Sequence, residues 1–196
     1  MLPRIFCLVS STDDLSLLPA LAEAGIDGFQ VRDKQATTHE LVELTRAVIA
    51  AVSPYGARVH VDDRLDVALA AGADGVHLGA GDLPVADARR LAPDLSIGAT
   101  CRSARDVARA AADGADHAGF GPVFDSGSKA GLPAPLGVGA IGGVVGELPV
   151  VAIGGIDATT AGDVVAAGAH GVAVIGGIWR EPDPVQAAKE LVAAVG

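Results

Sequence analysis

The chain has little of what would place it outside the cell, in a membrane or on nucleic acid. It has two cysteines in 196 residues, Cys7 and Cys101, far outside any metal or redox spacing. We read both as reduced, small hydrophobic residues. Lys and Arg number 14 against 24 Asp and Glu, for a net charge of −10, so a broad basic surface for nucleic acid is excluded. The first apolar run, Ile5–Val9, is only five residues long, too short for a signal peptide. The longest uncharged stretch, residues 130–146, is interrupted throughout by Gly and Pro and does not read as a membrane helix. A cytoplasmic protein with no membrane and no nucleic-acid partner is expected. Aromatic residues are also scarce, at 3%, so other side chains must fill the core.

Those side chains are Ala, Val and Gly. Half of the chain is hydrophobic, 26 residues are Gly, and mean hydropathy is +0.42. Short-branched strands and Ala-rich helices make an α/β protein, and the length suits one domain spanning 1–196. Four segments repeat a pattern: "AGIDGFQV" from Ala24, "AGADGVHL" from Ala71, "DGADHAGF" from Asp113 and "AGAHGVAV" from Ala167. Each follows a helical stretch, puts Gly where the helix would end, and continues into an apolar strand. The glycines, Gly25, Gly72, Gly114 and Gly168, are 47, 42 and 54 residues apart. One strand and helix need ~20–30 residues, so each interval holds two units. The strands between are "RVHV" (58–61), "LSIGA" (95–99) and "PVVAI" (149–153); with "RIFCLV" at the start the count is eight. This predicts a (β/α)8 TIM barrel. The rival, a doubly wound open sheet, calls for a Gly-rich fingerprint after the first strand, and "VSSTDD" is none.

In such a barrel the functional groups gather at the C-terminal ends of the strands. In "FQVRDK" (residues 29–34) the apolar Phe29 and Val31 alternate with Gln30, Arg32 and Lys34. The outer face of a barrel strand packs on helices, so the polar set points to the axis and the rim. The other reading leaves these charges solvated at an exposed strand end, or pairs them with Asp62 or Asp63 in a structural salt bridge. Asp62-Asp63 follow the third strand, His77 points inward from the fourth, and Asp82 lies in the next loop. Carboxylates from adjacent loops suit a hard cation such as Mg²⁺, and serve equally as turn or capping residues. After the sixth strand, Ser126, Ser128 and Lys129 form a candidate anion clamp, or a flexible loop. Gly154-Gly155 and Gly176-Gly177 end strands seven and eight, where barrels commonly hold phosphate. No serine–histidine–acid set stands out, and charge stabilisation of a leaving group fits better than nucleophilic catalysis.

At these residues the chain resembles the thiamine phosphate synthase/TenI family. The resemblance runs from about Phe29 to Ile178 and is carried by "QVRDK", "DDRLDVALAAGADGVHLGAGDLP", "GFGPVF" with "SGSK", "VVAIGGI" and "GVAVIGGI". It implies a Mg²⁺-dependent transferase that joins hydroxymethylpyrimidine diphosphate to thiazole phosphate and releases pyrophosphate. Diphosphate would leave first, and the thiazole nitrogen would capture the cation left behind. Arg32, Lys34 and Lys129 would then act on the diphosphate as catalytic cations. Gln30, Asp62, His77, Thr100, His117, Ser126 and Ser128 would line the substrate sites, with Gln30 and His77 nearest the pyrimidine. Asp63 and Asp82 would hold Mg²⁺, and Gly154, Gly155, Gly176 and Gly177 the thiazole phosphate. The chain departs from the family pattern at Asp62 (usually Asn), Arg102 (usually His), His117 (usually Tyr) and Gly176 (usually Ser), and after Lys129. These departures keep two alternatives open, a TenI-like thiazole tautomerase and a non-catalytic regulatory relative. A tautomerase would need an acid/base, with His117 and Cys101 as candidates, since Pro122 stands where its histidine is expected. Barrels of this kind often dimerise, so a homodimer of this chain is one expectation.

Overall fold

Each strand is a short apolar run that can be buried on both faces, which is what a parallel barrel wall requires. The computed structural model describes residues 1–127 and 133–196. Eight strands, β1 (Ile5–Val9), β2 (Gly28–Val31), β3 (Arg58–Asp62), β4 (Gly75–Leu78), β5 (Ser96–Cys101), β6 (His117–Phe120), β7 (Val150–Ile153) and β8 (Gly171–Val174), pair in sequence order. All pairs are parallel, and β8 closes on β1. The fifth strand runs two residues beyond the expected end, because Thr100 and Cys101 continue the ladder opposite Gly119 and Phe120.

Helices α1 (Leu18–Glu23), α2 (Thr38–Val52), α3 (Leu65–Ala71), α4 (Val85–Leu91), α5 (Ala104–Ala112), α6 (Ala161–Ala166), α7 (Gly176–Trp179) and α8 (Pro184–Val195) accompany the strands. Their starts follow ordinary capping chemistry. Thr37 and Glu40 form a capping box on α2, and Asp183 caps α8 with Pro184 at its first position. The four repeated glycines all have positive φ, from 76° to 110°, at or just past a helix end. The sixth crossover departs from the expected alternation. Among its described residues it holds only a 3-10 helix, Val138–Gly143, since Gly in a helix interior costs ~1 kcal/mol relative to Ala. Gly176-Gly177, expected as the end of β8, instead open the short α7.

The closed wall separates two apolar regions. Outward residues such as Cys7, Phe29, Val31, Val61 and Phe120 join the helices in the main core. Inside the barrel, Phe6, Leu8, Val151 and Ala173 form a small separate cluster. Beside it stand His60 and His117, buried, with ring centroids 4.9 and 5.9 Å from Phe6. Glycines on neighbouring strands leave room for the rings. A Cβ at Gly75 would stand 2.6 Å from His60 Nε2, and one at Gly98 or Gly119 would stand 2.5 Å from His77 ring atoms.

Candidate active site

Two cavities open side by side at the C-terminal mouth and share a wall: Ser126, Ile153, Gly154, Ala173 and Ile175 border each of them. The larger, about 520 Å³, has an apolar floor of Phe6, Leu8, Val151 and Ala173 and a charged rim. The strand pleat explains the rim. Gln30, Asp62, His77, Thr100 and Gly119 sit on inward positions of adjacent paired strands, so closure of the barrel brings them to one opening.

Phe29 and Val31 are fully buried outside the barrel, while Gln30, Arg32 and Lys34 line the cavity. The salt-bridge reading and the inward orientation of this stretch are both observed. Arg32 Nε lies 2.8 Å from Asp62 Oδ2, and the Gln30 amide donates to Asp62 Oδ1 at 2.7 Å. Lys34 pairs with Asp63. The cations thus have carboxylate partners, and those partners belong to the cavity. Asp63 adopts a left-handed backbone, φ 65°, an uncommon conformation for a residue with a side chain. Its N–H donates to His77 O at 2.8 Å, which ties the β3 end to β4.

Asp63 and Asp82 interact directly. Burial pushes the Asp82 carboxyl above its ordinary pKa and the neighbouring Asp63 adds to this. Burial also opposes ionisation of Asp63, but hydrogen bonds from Lys34 and Asp82 and the charges of Lys34 and Arg32 outweigh it, leaving its pKa lowered. Asp82 is further oriented by the Gly79 N–H, at 2.7 Å. Burial raises the pKa of Asp62, and Arg32 and Gln30 pull against it. Two facing carboxylates could supply two oxygen ligands to a hard divalent cation, and among the described residues no group of three or more metal-ligating side chains is gathered there. Three cations (Arg32, Lys34, Arg102) face three carboxylates (Asp62, Asp63, Asp82) among the described lining residues, so the described rim carries no excess positive charge of its own.

His77 Nε2 lies 3.0 Å from Thr100 Oγ1, and burial lowers its pKa. His117 lines the bottom of the cavity, its pKa driven well down by burial and by the other imidazoles. Cys101, considered above as an acid/base, is buried in the outer core with its pKa pushed up to about 11, and borders neither cavity. Ser128 and Lys129 lie outside the described residues, and Ser126 borders both cavities. The smaller cavity, about 280 Å³, is walled by Gly154, Gly155, Gly176 and Gly177. A Cβ at Gly154 would fall 2.5 Å from Pro122 Cβ, and one at Gly177 2.6 Å from Ile156 O.

A family model described as thiamine monophosphate synthase matches residues 5–178. The chain belongs to this family. Thiamine-phosphate synthase of Methanoculleus marisnigri is 46% identical over 173 residues, covering 87% of this chain and 82% of that protein. The Chlorobium luteolum protein of the same name is 42% identical and covers 96% and 92%. Among solved structures, thiamine phosphate pyrophosphorylase from Pyrococcus furiosus superposes with a TM-score of 0.89 at 33% identity, covering 98% and 95%. The thiamine monophosphate synthase family match spans every strand of the barrel and all but the last residue of the short helix after it.

Several residues of this family member's cavities escaped the sequence reading. Phe6 and Leu8 form the floor, and alternation along β1 could have marked them as the inward pair. Arg102 donates to Gly121 O at 3.1 Å and Ala134 O at 3.0 Å, so it holds both ends of the loop after β6. Arg180 borders the smaller cavity, and no local motif announces it. Among the described residues no helix is long and apolar enough to cross a membrane.

Proposed function

We propose that this chain is a transferase of the cytoplasm that joins hydroxymethylpyrimidine diphosphate to thiazole phosphate and releases pyrophosphate. The observation that carries the reading is the pair of adjoining cavities, one charged over an apolar floor and one walled by glycine, within a thiamine monophosphate synthase family barrel. The apolar floor suits a flat pyrimidine ring, with Gln30 and Asp62 at its polar edge. The pyrimidine C–O bond breaks with its electron pair going to the diphosphate, and Arg32 and Lys34 stabilise the charge that develops there. The thiazole nitrogen then donates its lone pair to form the C–N bond. Backbone N–H groups around Gly154, Gly155, Gly176 and Gly177 hold the thiazole phosphate close enough for that capture. Phe6, Leu8 and Val151 exclude water from the cation in the meantime.

Asp63 and Asp82 would hold Mg²⁺, which when bound neutralises part of the diphosphate charge. The tautomerase alternative is poorly served by the two groups considered for it: Cys101 faces the outer core, and His117 is deeply buried with its pKa driven down. The test is pyrophosphate release by the folded protein with both substrates and Mg²⁺. Release that requires both substrates supports the reading, and no release overturns it.

A further inference from the structure

The smaller cavity contains a cation that the reaction as described leaves unused. Arg180 follows α7, and its backbone N–H donates to Gly176 O at 3.1 Å. Its stem lies directly over Gly176: a Cβ added there would be 3.3 Å from Arg180 Cδ and 3.6 Å from Nε. The arginine thus takes the space that a side chain at 176 would occupy. The helix is fixed in place, because Trp179 Nε1 donates to Leu8 O at 2.7 Å on the first strand. The guanidinium is therefore positioned at the cavity edge by a short, anchored turn.

The guanidinium's contacts within the chain are weak. Its hydrogen bond among the described residues goes to Gly127 O at a long 3.3 Å, whereas a guanidinium offers five N–H donors. No described carboxylate lies within ion-pair distance of it, although Asp125, Asp157 and Glu181 border the same cavity. Asp157 is committed to its own turn, accepting from Thr159 N at 2.9 Å and Thr159 Oγ1 at 2.7 Å. These three carboxylates repel an anion, and the glycine N–H groups carry only partial charges. Arg180 is placed to add a full positive charge to what the glycine N–H groups offer a phosphate monoester there.

We infer that Arg180 is the residue that recognises the phosphate monoester of the second substrate, reaching over Gly176 to pair with its terminal oxygens. The fork of a guanidinium matches two such oxygens at once, a match that an isolated ammonium lacks. The inference rests on the reaction proposed above and adds to it a specificity determinant. Discrimination between the thiazole phosphate and its unphosphorylated alcohol should depend on this side chain.

The experiment compares wild type, Arg180→Gln and Arg180→Lys in steady-state kinetics, varying each substrate in turn. Arg180→Gln is expected to raise KM for thiazole phosphate at least tenfold, change kcat less than threefold and leave KM for the pyrimidine diphosphate unaltered. Arg180→Lys should recover part of the loss. Preference for the phosphate over the alcohol should fall by the same factor as KM rises. Unchanged KM in Arg180→Gln overturns the inference. Equal rises for both substrates also overturn it, since they indicate that Arg180 only holds the loop through Gly127. Calorimetric titration with thiazole phosphate separates the two claims: an inactive wild type whose binding still weakens tenfold in Arg180→Gln removes the reaction and keeps the arginine.

Discussion

His60 is a basic side chain in the wrong solvent, and acid should expose the cost. The ring is 1% exposed, packed against Phe6 and 5.7 Å from the His117 ring, above the space left by Gly75. Its Nδ1 has no hydrogen-bond partner among the described residues. Burial, and then the charges of His77 and Arg58, bring its pKa down to about 4, with Asp74 and Asp116 pulling the other way. An unfolded histidine titrates near ~6.5. The folded value is the depressed one, so between these limits the unfolded chain binds the extra proton. The stability held by neutral His60 is complete above pH ~6.5 and is lost as pH falls toward about 4. At ~1.4 kcal/mol per pKa unit the full loss is roughly 3 kcal/mol, of which ~2 kcal/mol has gone by pH ~5.

His60→Leu removes the titrating group and the unpartnered nitrogen while keeping the volume nearly constant. Urea unfolding can be followed by the fluorescence of the single tryptophan, Trp179. Wild type should lose ~2 kcal/mol more than His60→Leu between pH ~7.5 and ~5. His77, also depressed, titrates in the same sense in both proteins, while His117 feels the His60 charge as well as burial, so its own depression eases in His60→Leu and adds to the difference. Asp62 and Asp82, raised by burial, oppose the trend in both. A difference below ~0.5 kcal/mol would mean that His60 is solvated or protonated in the fold, and the account of the barrel interior would be wrong.

Three further outcomes follow from the site. Asp82→Asn and Arg32→Ala should each lower kcat/KM at least ~tenfold, equal to ~1.4 kcal/mol of transition-state stabilisation, and an unchanged rate removes that residue from the chemistry. Asp62→Asn should keep the Gln30 contact while deleting a charge that competes for Arg32; KM for the pyrimidine diphosphate should fall about fivefold, ~1 kcal/mol, and a rise would refute the competition. Gly98→Ala should lower stability by about 1–3 kcal/mol, read as a drop in Tm of several degrees, because its Cβ would meet the His77 and His117 rings.

Local signals in the sequence recover the frame well. The four glycines after helical stretches take the positive φ that the pattern demands, and alternation in "FQVRDK" sorts its residues to the two sides of the wall. The sequence is silent where meaning comes from closure. Gly98 matters because His77 and His117, on the flanking strands, fill the space its missing side chain leaves. Arg180 matters because α7 returns it to the glycine corner, 53 residues from its partner Gly127. Periodicity reports which side of a strand a residue faces, but not which inward residues reach the same height in the barrel. The Arg32–Asp62 and Lys34–Asp63 pairs show the same limit: pairing and function looked like rival explanations until both partners proved to border one cavity.

The cations around the mouth are held in two different ways, and the difference bears on how an anion enters. Arg32 and Lys34 are held by carboxylates, while Arg102 and Arg180 are held by backbone carbonyls of the loop after β6. A hydrogen bond to a neutral carbonyl is roughly half as strong as one to a carboxylate, so the carbonyl-held pair yields to a phosphate more readily. The carboxylate-held pair keeps its geometry before substrate arrives and gives it up only to a ligand of comparable charge. On the reaction proposed above, in a chain of net charge −10, this arrangement would discriminate by charge density: a phosphate monoester would have only carbonyl contacts to displace, whereas a polyanion such as diphosphate would have to compete with Asp62 and Asp63 for their cations.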